Sequence, residues 1–308
     1  MQSSLNRSAL LLNLSSFVLV IGITVIPARA EECEGEKPVA ALKLNVSRSS
    51  PLDLEISGDL PGVRPGSSRY IPREALLDLP QVTYTVNDDA NFKGPTQVSG
   101  VPLEVLISAL SAAPKTDMVI AICSDLYHAN YPRAYVSAHH PLLVLEINGK
   151  PPSKWPEDSE GYGLNMGPFL ITHEKFKPSF QVLSHSDEPQ IPWGVVRIEF
   201  RNEAKTYAAI TPQGPYANSK QVQNGFRIAQ QNCFRCHNNG REGGQKAGHP
   251  WQALAAWALA SPEYFAAYVR NPKQKNANSH MPANPSYDDA TLEALAAYFR
   301  TFQTEEKP

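Results

Sequence analysis

The sequence predicts an α+β chain, a strand-rich mixed first part followed by an all-α second part. Two observations carry this. Short apolar runs bounded by turn residues recur from residue 39 to residue 200, as half-buried or buried strands do. Beyond residue 215 the apolar residues fall instead at three- and four-residue spacing, the period of amphipathic helices. A length of 308 residues suits two domains better than one. The 27 prolines point to many turns and extended connections rather than a helical bundle throughout. A net charge of −2 removes the basic excess that nucleic-acid binding needs, so no nucleic-acid partner is expected.

Residues 1–30 read as an export leader. Arg7 supplies a positive flank, Ala9 to Pro27 an apolar stretch interrupted by Asn13, Ser15 and Ser16, and Ala28-Arg29-Ala30 a small-x-small cleavage site. An uncleaved anchor is the competing reading, because about 19 apolar positions nearly span a bilayer. Cleavage would leave 26 basic against 30 acidic residues, a charge of −4, with no stable membrane insertion. A periplasmic or otherwise extracytoplasmic location is expected.

Residues 31–212 form the expected first domain. Val39–Val46, Gln81–Val86, Met118–Cys123, Leu142–Ile147, Pro168–Thr172 and Val195–Phe200 read as strands, and Asn148-Gly149 as a tight turn. Pro72–Leu79 and Pro102–Ala112 read as helices, the second with Leu103, Leu106, Ile107 and Leu110 on one face. Gly214, Pro215, Asn218 and Ser219 mark a linker into the second domain, residues 213–308.

Cys233-Phe234-Arg235-Cys236-His237 is the C-x-x-C-H motif of covalent haem attachment. Two thiols on one turn can each form a thioether with a haem vinyl group, and the adjacent imidazole reaches the iron. A redox dithiol and half of a zinc site are the alternatives. The dithiol does not need His237, and zinc lacks a second Cys/His pair at suitable spacing. One haem c is expected.

Downstream, the sequence resembles the class I cytochrome c family over roughly residues 215–305. Gly225–Gln231 reads as the helix delivering the cysteines, and Gly240, Gly243 and Gly244 as a loop of close backbone approach. Gly248-His249-Pro250-Trp251-Gln252-Ala253-Leu254 resembles the family's Gly-x-x-x-Leu region, and that resemblance gives the Pro250 carbonyl to Nδ1–H of His237. Ser261-Pro262-Glu263 opens a helix carrying Tyr264, Phe265, Tyr268 and Val269, which stops at Asn271-Pro272. Ser279-His280-Met281-Pro282 stands where the family places its second axial ligand, so Met281 is the candidate partner of His237, with His280 and His249 as rivals. A closing helix is expected from Asp288 to Phe302, with Leu292, Leu295, Ala296 and Phe299 inward. Two strong axial ligands leave no open iron position, which implies electron transfer with redox partner proteins.

The first domain resembles the molybdopterin-binding domain of sulfite-oxidase-like proteins. The resemblance rests on Ile71-Pro72-Arg73-Glu74-Ala75-Leu76, Gly100-Val101-Pro102-Leu103, Asp125-Leu126-Tyr127, Leu143–Pro151 and Trp193 with Val196-Arg197-Ile198. Catalytic members hold molybdenum through a cysteine ahead of the Gly-Val-Pro-Leu helix. Val86–Gly94 here contains none, Cys123 comes too late, and Pro192 replaces the lysine of Lys-Trp. No molybdopterin is therefore expected, and the domain reads as a docking or scaffold module. The rival reading is a molybdopterin oxidoreductase with the haem as built-in acceptor. Cys33 and Cys123 could pair. His128, His139, His140, His173 and His185 read as packing or surface residues, His139-His140 on opposite faces of a strand; Tyr127, Tyr131, Arg133 and Trp193 could line a pocket or serve the core equally well.

Overall fold

The computed structural model describes residues 42–157 and 164–302. The leader and Cys33 lie outside the described residues, so neither cleavage nor a Cys33–Cys123 bond is visible. No described helix is long and apolar enough to cross a membrane.

The first half runs β1 (Leu54–Gly58), β2 (Ser68–Ile71), α1 (Arg73–Leu77), β3 (Val82–Val86), β4 (Thr96–Pro102), α2 (Leu103–Ala109), β5 (Met118–Cys123), β6 (His128–Pro132), α3 (Arg133–His139), β7 (Leu142–Ile147), β8 (Phe169–Thr172), β9 (Gln181–Val182), β10 (His185–Ser186), β11 (Trp193–Arg201) and α4 (Glu203–Ala208). The second half is helical: α5 (Lys220–Gln231), α6 (Trp251–Ala260), α7 (Pro262–Arg270), α8 (Pro272–Lys275) and α9 (Asp289–Arg300). The α+β class holds.

Strand β11 is the hub of the main sheet. It pairs antiparallel with β5 along one side, and with β8 and then parallel β1 along the other. Through β8 the sheet continues to β7, β4 and β3. Continuous apolar runs explain the central position of β5 and β7: β5 is buried at all six residues, as a strand covered on both faces must be. The major core packs Leu54, Ile56, Leu103, Leu106, Phe169 and Phe200, among others, on one face. Of the expected strand at 39–46, the described part makes only a bridge between Asn45 and Tyr70. Asn148 and Gly149 both take positive φ, 51° and 66°, as a tight hairpin turn requires.

In the second half, Ser219 caps α5 by accepting from the Val222 N–H at 3.3 Å, and Asp288 caps α9 through Thr291 N–H at 2.8 Å. The four residues expected inward on α9 are all buried. On α7 only Phe265 and Val269 are buried; Tyr264 faces solvent.

The described residues all fall in one compact unit, so the expected boundary at 212/213 lies inside it. The contact is intimate. Val182 and Ile210 of the first half belong to the apolar cluster of the second. Tyr298 donates to the Ile210 carbonyl at 2.5 Å, Ser184 and Thr291 share a hydrogen bond of 2.6 Å, and Arg201 pairs with Glu242 at 2.5 Å.

Candidate functional site

Helix α5 ends two residues before the first motif cysteine, and the chain tightens into a 3-10 turn over Cys233–Arg235. The Cys233 carbonyl accepts from the N–H groups of Cys236 at 3.2 Å and His237 at 3.0 Å, closing the turn. Both thiols are half-buried on this one turn. Between them Phe234 is fully buried, edge-on to Trp251 at 5.7 Å. The loop after the motif wraps back over it with bare backbone. Gly244 donates to the Phe234 carbonyl at 3.0 Å, and a Cβ there would stand 1.8 Å from the Arg235 carbonyl oxygen. At Gly243, with φ of 91°, a Cβ would meet Phe234 and the His237 carbonyl within 2.7 Å. Only glycine fits both positions.

His237 Nδ1–H donates to a carbonyl 2.6 Å away, and the carbonyl is that of His249. The expectation for Pro250 is corrected by one residue. Pro250 stands at the N-cap of α6, so its carbonyl is turned along the helix and accepts from Ala253 at 2.9 Å and Leu254 at 3.4 Å. The carbonyl before it points at the imidazole instead. This bond puts the proton on Nδ1 and leaves the lone pair on Nε2. Burial holds the imidazole below its ordinary pKa, hence neutral.

Met281 is half-buried against the same apolar cluster as Cys233. Its N–H donates to the Ser279 hydroxyl at 3.3 Å, which also accepts from Tyr268 at 3.0 Å. Together with Asn271, Lys273, His280 and Pro282 it lines a cleft of about 370 Å³. His280 and His249 are exposed, and the His249 ring packs on Trp257 at 4.8 Å. Met118 and Met166 are fully buried in the first half. Two thiols on one turn, a neutral imidazole with a free Nε2, and a thioether on the same cluster form a donor set that fits haem c.

The alternatives fare worse. A reactive dithiol needs a depressed thiol pKa; here burial pushes Cys233 up to about 12 and raises Cys236 as well. Among the described residues no group of three or more His, Cys, Asp or Glu could hold a metal ion, which speaks against zinc.

Sequence reasoning missed the residues that join this turn to the first half. Arg235, a variable position of the motif, is largely covered by Tyr127, Gln190 and Glu188, its side chain 11% exposed and Nη2 3.6 Å from the Glu188 carboxylate. Its Nε–H donates to the Gln231 carbonyl at 2.5 Å. The Gln231 side chain donates to Asp187 and accepts from His185 at 2.5 Å. Asp187 also accepts from His139 at 2.9 Å and from the Ser179 hydroxyl at 2.5 Å. No local signal marks these residues, because the partners lie far apart in sequence.

The other histidines separate by environment. His139 and His140 end helix α3 rather than lying in a strand: His139 is buried on Asp187, while His140, with φ of 45°, is exposed and bonded to Glu104 at 2.7 Å. Tyr135 donates to or accepts from His173 Nε2 at 3.0 Å. Of the four candidate pocket residues, Tyr131 is fully buried with its hydroxyl on the Gln190 carbonyl at 2.8 Å, Arg133 is exposed, Trp193 is half-buried and Tyr127 faces Arg235. Cys123 is buried in the main core.

Residues 220–299 match the family described as cytochrome c oxidase, cbb3-type, subunit III. This segment is a cytochrome c domain, which implies covalent haem c and haem-based electron transfer. Curated proteins gave no match. Among solved structures, the sulfane dehydrogenase SoxCD from Paracoccus pantotrophus is similar at 16% identity and a TM-score of 0.33, over 56% of this chain and 45% of that one. The chain thus spans less than half the length of that protein.

Proposed function

We propose that this chain is an exported mono-haem c-type cytochrome that moves single electrons between redox partner proteins. The observation that carries it is the motif turn, with two thiols on one side and a neutral His237 whose Nδ1 is tied to the His249 carbonyl. In this reading Cys233 and Cys236 would hold the group covalently, and His237 and Met281 would ligate its iron. Bound haem contributes a one-electron iron couple; imidazole plus thioether favours its reduced state relative to two histidines. The His249 carbonyl fixes the ring orientation of His237. Phe234, Trp251 and Leu295, buried in the apolar cluster against which Cys233 and Met281 pack, would keep water from the group. The first half serves as scaffold and docking module.

Replacing Cys233 and Cys236 by Ala is expected to abolish haem staining on a denaturing gel; retained staining defeats the attachment reading. Met281→Ala is expected to remove the weak near-infrared sulfur-to-iron band of the oxidised protein, and absence of that band in the wild type defeats the ligand assignment. Export predicts mature protein beginning at Glu31 in the extracytoplasmic fraction.

A second reading is favoured by the burial of Arg235 under first-half residues: a molybdopterin oxidoreductase whose haem accepts electrons directly from the adjoining domain. The molybdenum-to-iron ratio of protein matured where both cofactors are made decides between the two. Iron alone supports the cytochrome reading; near-equal molybdenum supports the oxidoreductase.

A further inference from the structure

A buried hydrogen-bonded chain runs from the first half to the haem-attachment turn, and His185 is its centre. The imidazole is 1% exposed. Its Nε2 faces the Gln231 side-chain oxygen at 2.5 Å, an acceptor, so Nε2 carries the proton. Its Nδ1 lies 2.8 Å from the Tyr287 hydroxyl, which accepts from the Asn232 amide at 2.8 Å and donates to Nδ1. His185 is therefore neutral as arranged, and both of its partners reach the motif. Gln231 and Asn232 are the last two residues before Cys233.

A route for a second proton is also present. The Glu188 carboxylate lies 3.6 Å from Nδ1 and is 38% exposed, so it stands between the buried ring and solvent. The remaining charged groups facing the ring are Asp187, reached through Gln231, and Arg235, which pairs with Glu188 at 3.6 Å. Arg227 stands over Phe180, whose ring is 6.4 Å from His185. The anions Asp187 and Glu188 favour an imidazolium; Arg235 and burial oppose it, and burial is the larger effect, holding the ring below its ordinary pKa. Removing a positive charge nearby shifts this balance toward the imidazolium.

We propose that His185 takes up a proton when the cytochrome domain gains an electron, so that electron transfer by this protein is coupled to proton transfer. This rests on the haem reading above. The step balances: an external one-electron donor supplies the electron, and a solvent hydronium gives up an O–H proton, which passes over the Glu188 carboxylate to Nδ1 and leaves water behind and Glu188 unchanged. The only bond formed is N–H at Nδ1 of His185, as the Tyr287 hydroxyl rotates to accept from it. Oxidation reverses each movement. With haem held at Cys233 and Cys236, the gain of an electron would remove one positive charge near the turn to which Gln231 and Asn232 lead, and so would raise the affinity of His185 for a proton.

The test uses the haem-loaded full chain. Its midpoint potential is measured spectroelectrochemically from pH 4.5 to 8, and proton uptake on reduction is followed with an indicator in weak buffer. Expected are uptake of a fraction of a proton per electron and a potential that falls as pH rises below the ordinary histidine value. The limiting slope is about 59 mV for the tenfold change in proton activity per pH unit. His185→Asn is expected to remove the slope with the haem spectrum unchanged. Tyr287→Phe, a milder change, removes the hydroxyl that bonds Nδ1 in both protonation states and is expected to shift the sloping region along the pH axis. A flat wild-type potential without proton uptake, a slope that survives in His185→Asn, or an unmoved region in Tyr287→Phe overturns the proposal. Absence of covalent haem defeats both readings, whereas a haem-loaded protein with a flat potential defeats this one alone.

Discussion

Gly244 illustrates how single atoms hold the attachment turn. Its Cα packs on the Arg235 carbonyl, and even a methyl group would have to occupy the space of that oxygen. Gly244→Ala is expected to cost about 3 kcal/mol, the upper range of overpacking effects, read as a lower urea midpoint with less covalent haem per chain. Pro250→Ala is expected to leave the haem spectrum unchanged, because the His237 bond belongs to the neighbouring carbonyl. The residues that bear the chemistry were legible because the motif is local: Cys233, Cys236 and His237 lie within one turn. The supporting carbonyl was legible only to within one residue, since a helix start decides which carbonyl is free. Arg235 and Gln231 were not legible. Their importance comes from Glu188, Gln190 and Asp187, more than forty positions away, and no periodicity connects them.

Helices α5 and α9 cross where side chains would keep them apart. An ideal Cβ on Gly225 would lie 2.1 Å from the Ala294 carbonyl oxygen, so the two backbones touch directly. Gly225→Ala is expected to spread this crossing and lower stability by about 2 kcal/mol or more, seen as a reduced thermal midpoint that Ala294→Gly does not rescue, because the clash is with backbone. The closing helix was legible from its apolar period, as were β5 and β7 from continuous apolar runs. Strands β4 and β6 were not. Thr96–Pro102 contains a glycine and a bulge at Ser99/Gly100, and His128–Pro132 holds histidine, asparagine and proline, so neither shows an apolar alternation. They are strands because β7 and β5 offer them edges, a tertiary cause that overrides local propensity.

At the scale of the whole molecule, the two halves share an apolar cluster and a buried polar chain, so they are expected to unfold together. Tryptophan fluorescence and haem absorbance should give one coincident urea transition; two separated transitions would show independent domains. Acid is expected to weaken the fold through the half-buried His128 and the buried His173, both neutral in the fold. Burial lowers His128 to about 4 and His173 to about 3. A depressed histidine pKa gives stability that is complete above the unfolded value near 6.5 and fades as pH falls toward the folded one. By pH 4.5 each is expected to have forfeited about 2–3 kcal/mol, measurable from urea curves at pH 7.5 and 4.5, with His128→Gln recovering part of the difference. How closely the halves meet was not legible, since the apparent linker at 214–219 gives no sign that Val182 and Ile210 reach across it.

The covering of Arg235 also has a consequence for the order of manufacture. Residues 42–212 leave the ribosome before the attachment turn does. Once Tyr127, Gln190 and Glu188 have closed over Arg235, both thiols sit protonated and half-buried against a finished wall. An enzyme that forges thioethers requires the reverse, open thiols on a pliable segment. Cofactor attachment is therefore expected to come before the halves dock, and a chain that docks first is expected to resist it. Pulse-labelled protein should acquire haem while residues 179–190 remain cleavable by protease, and chains that have become resistant there without haem should never acquire it.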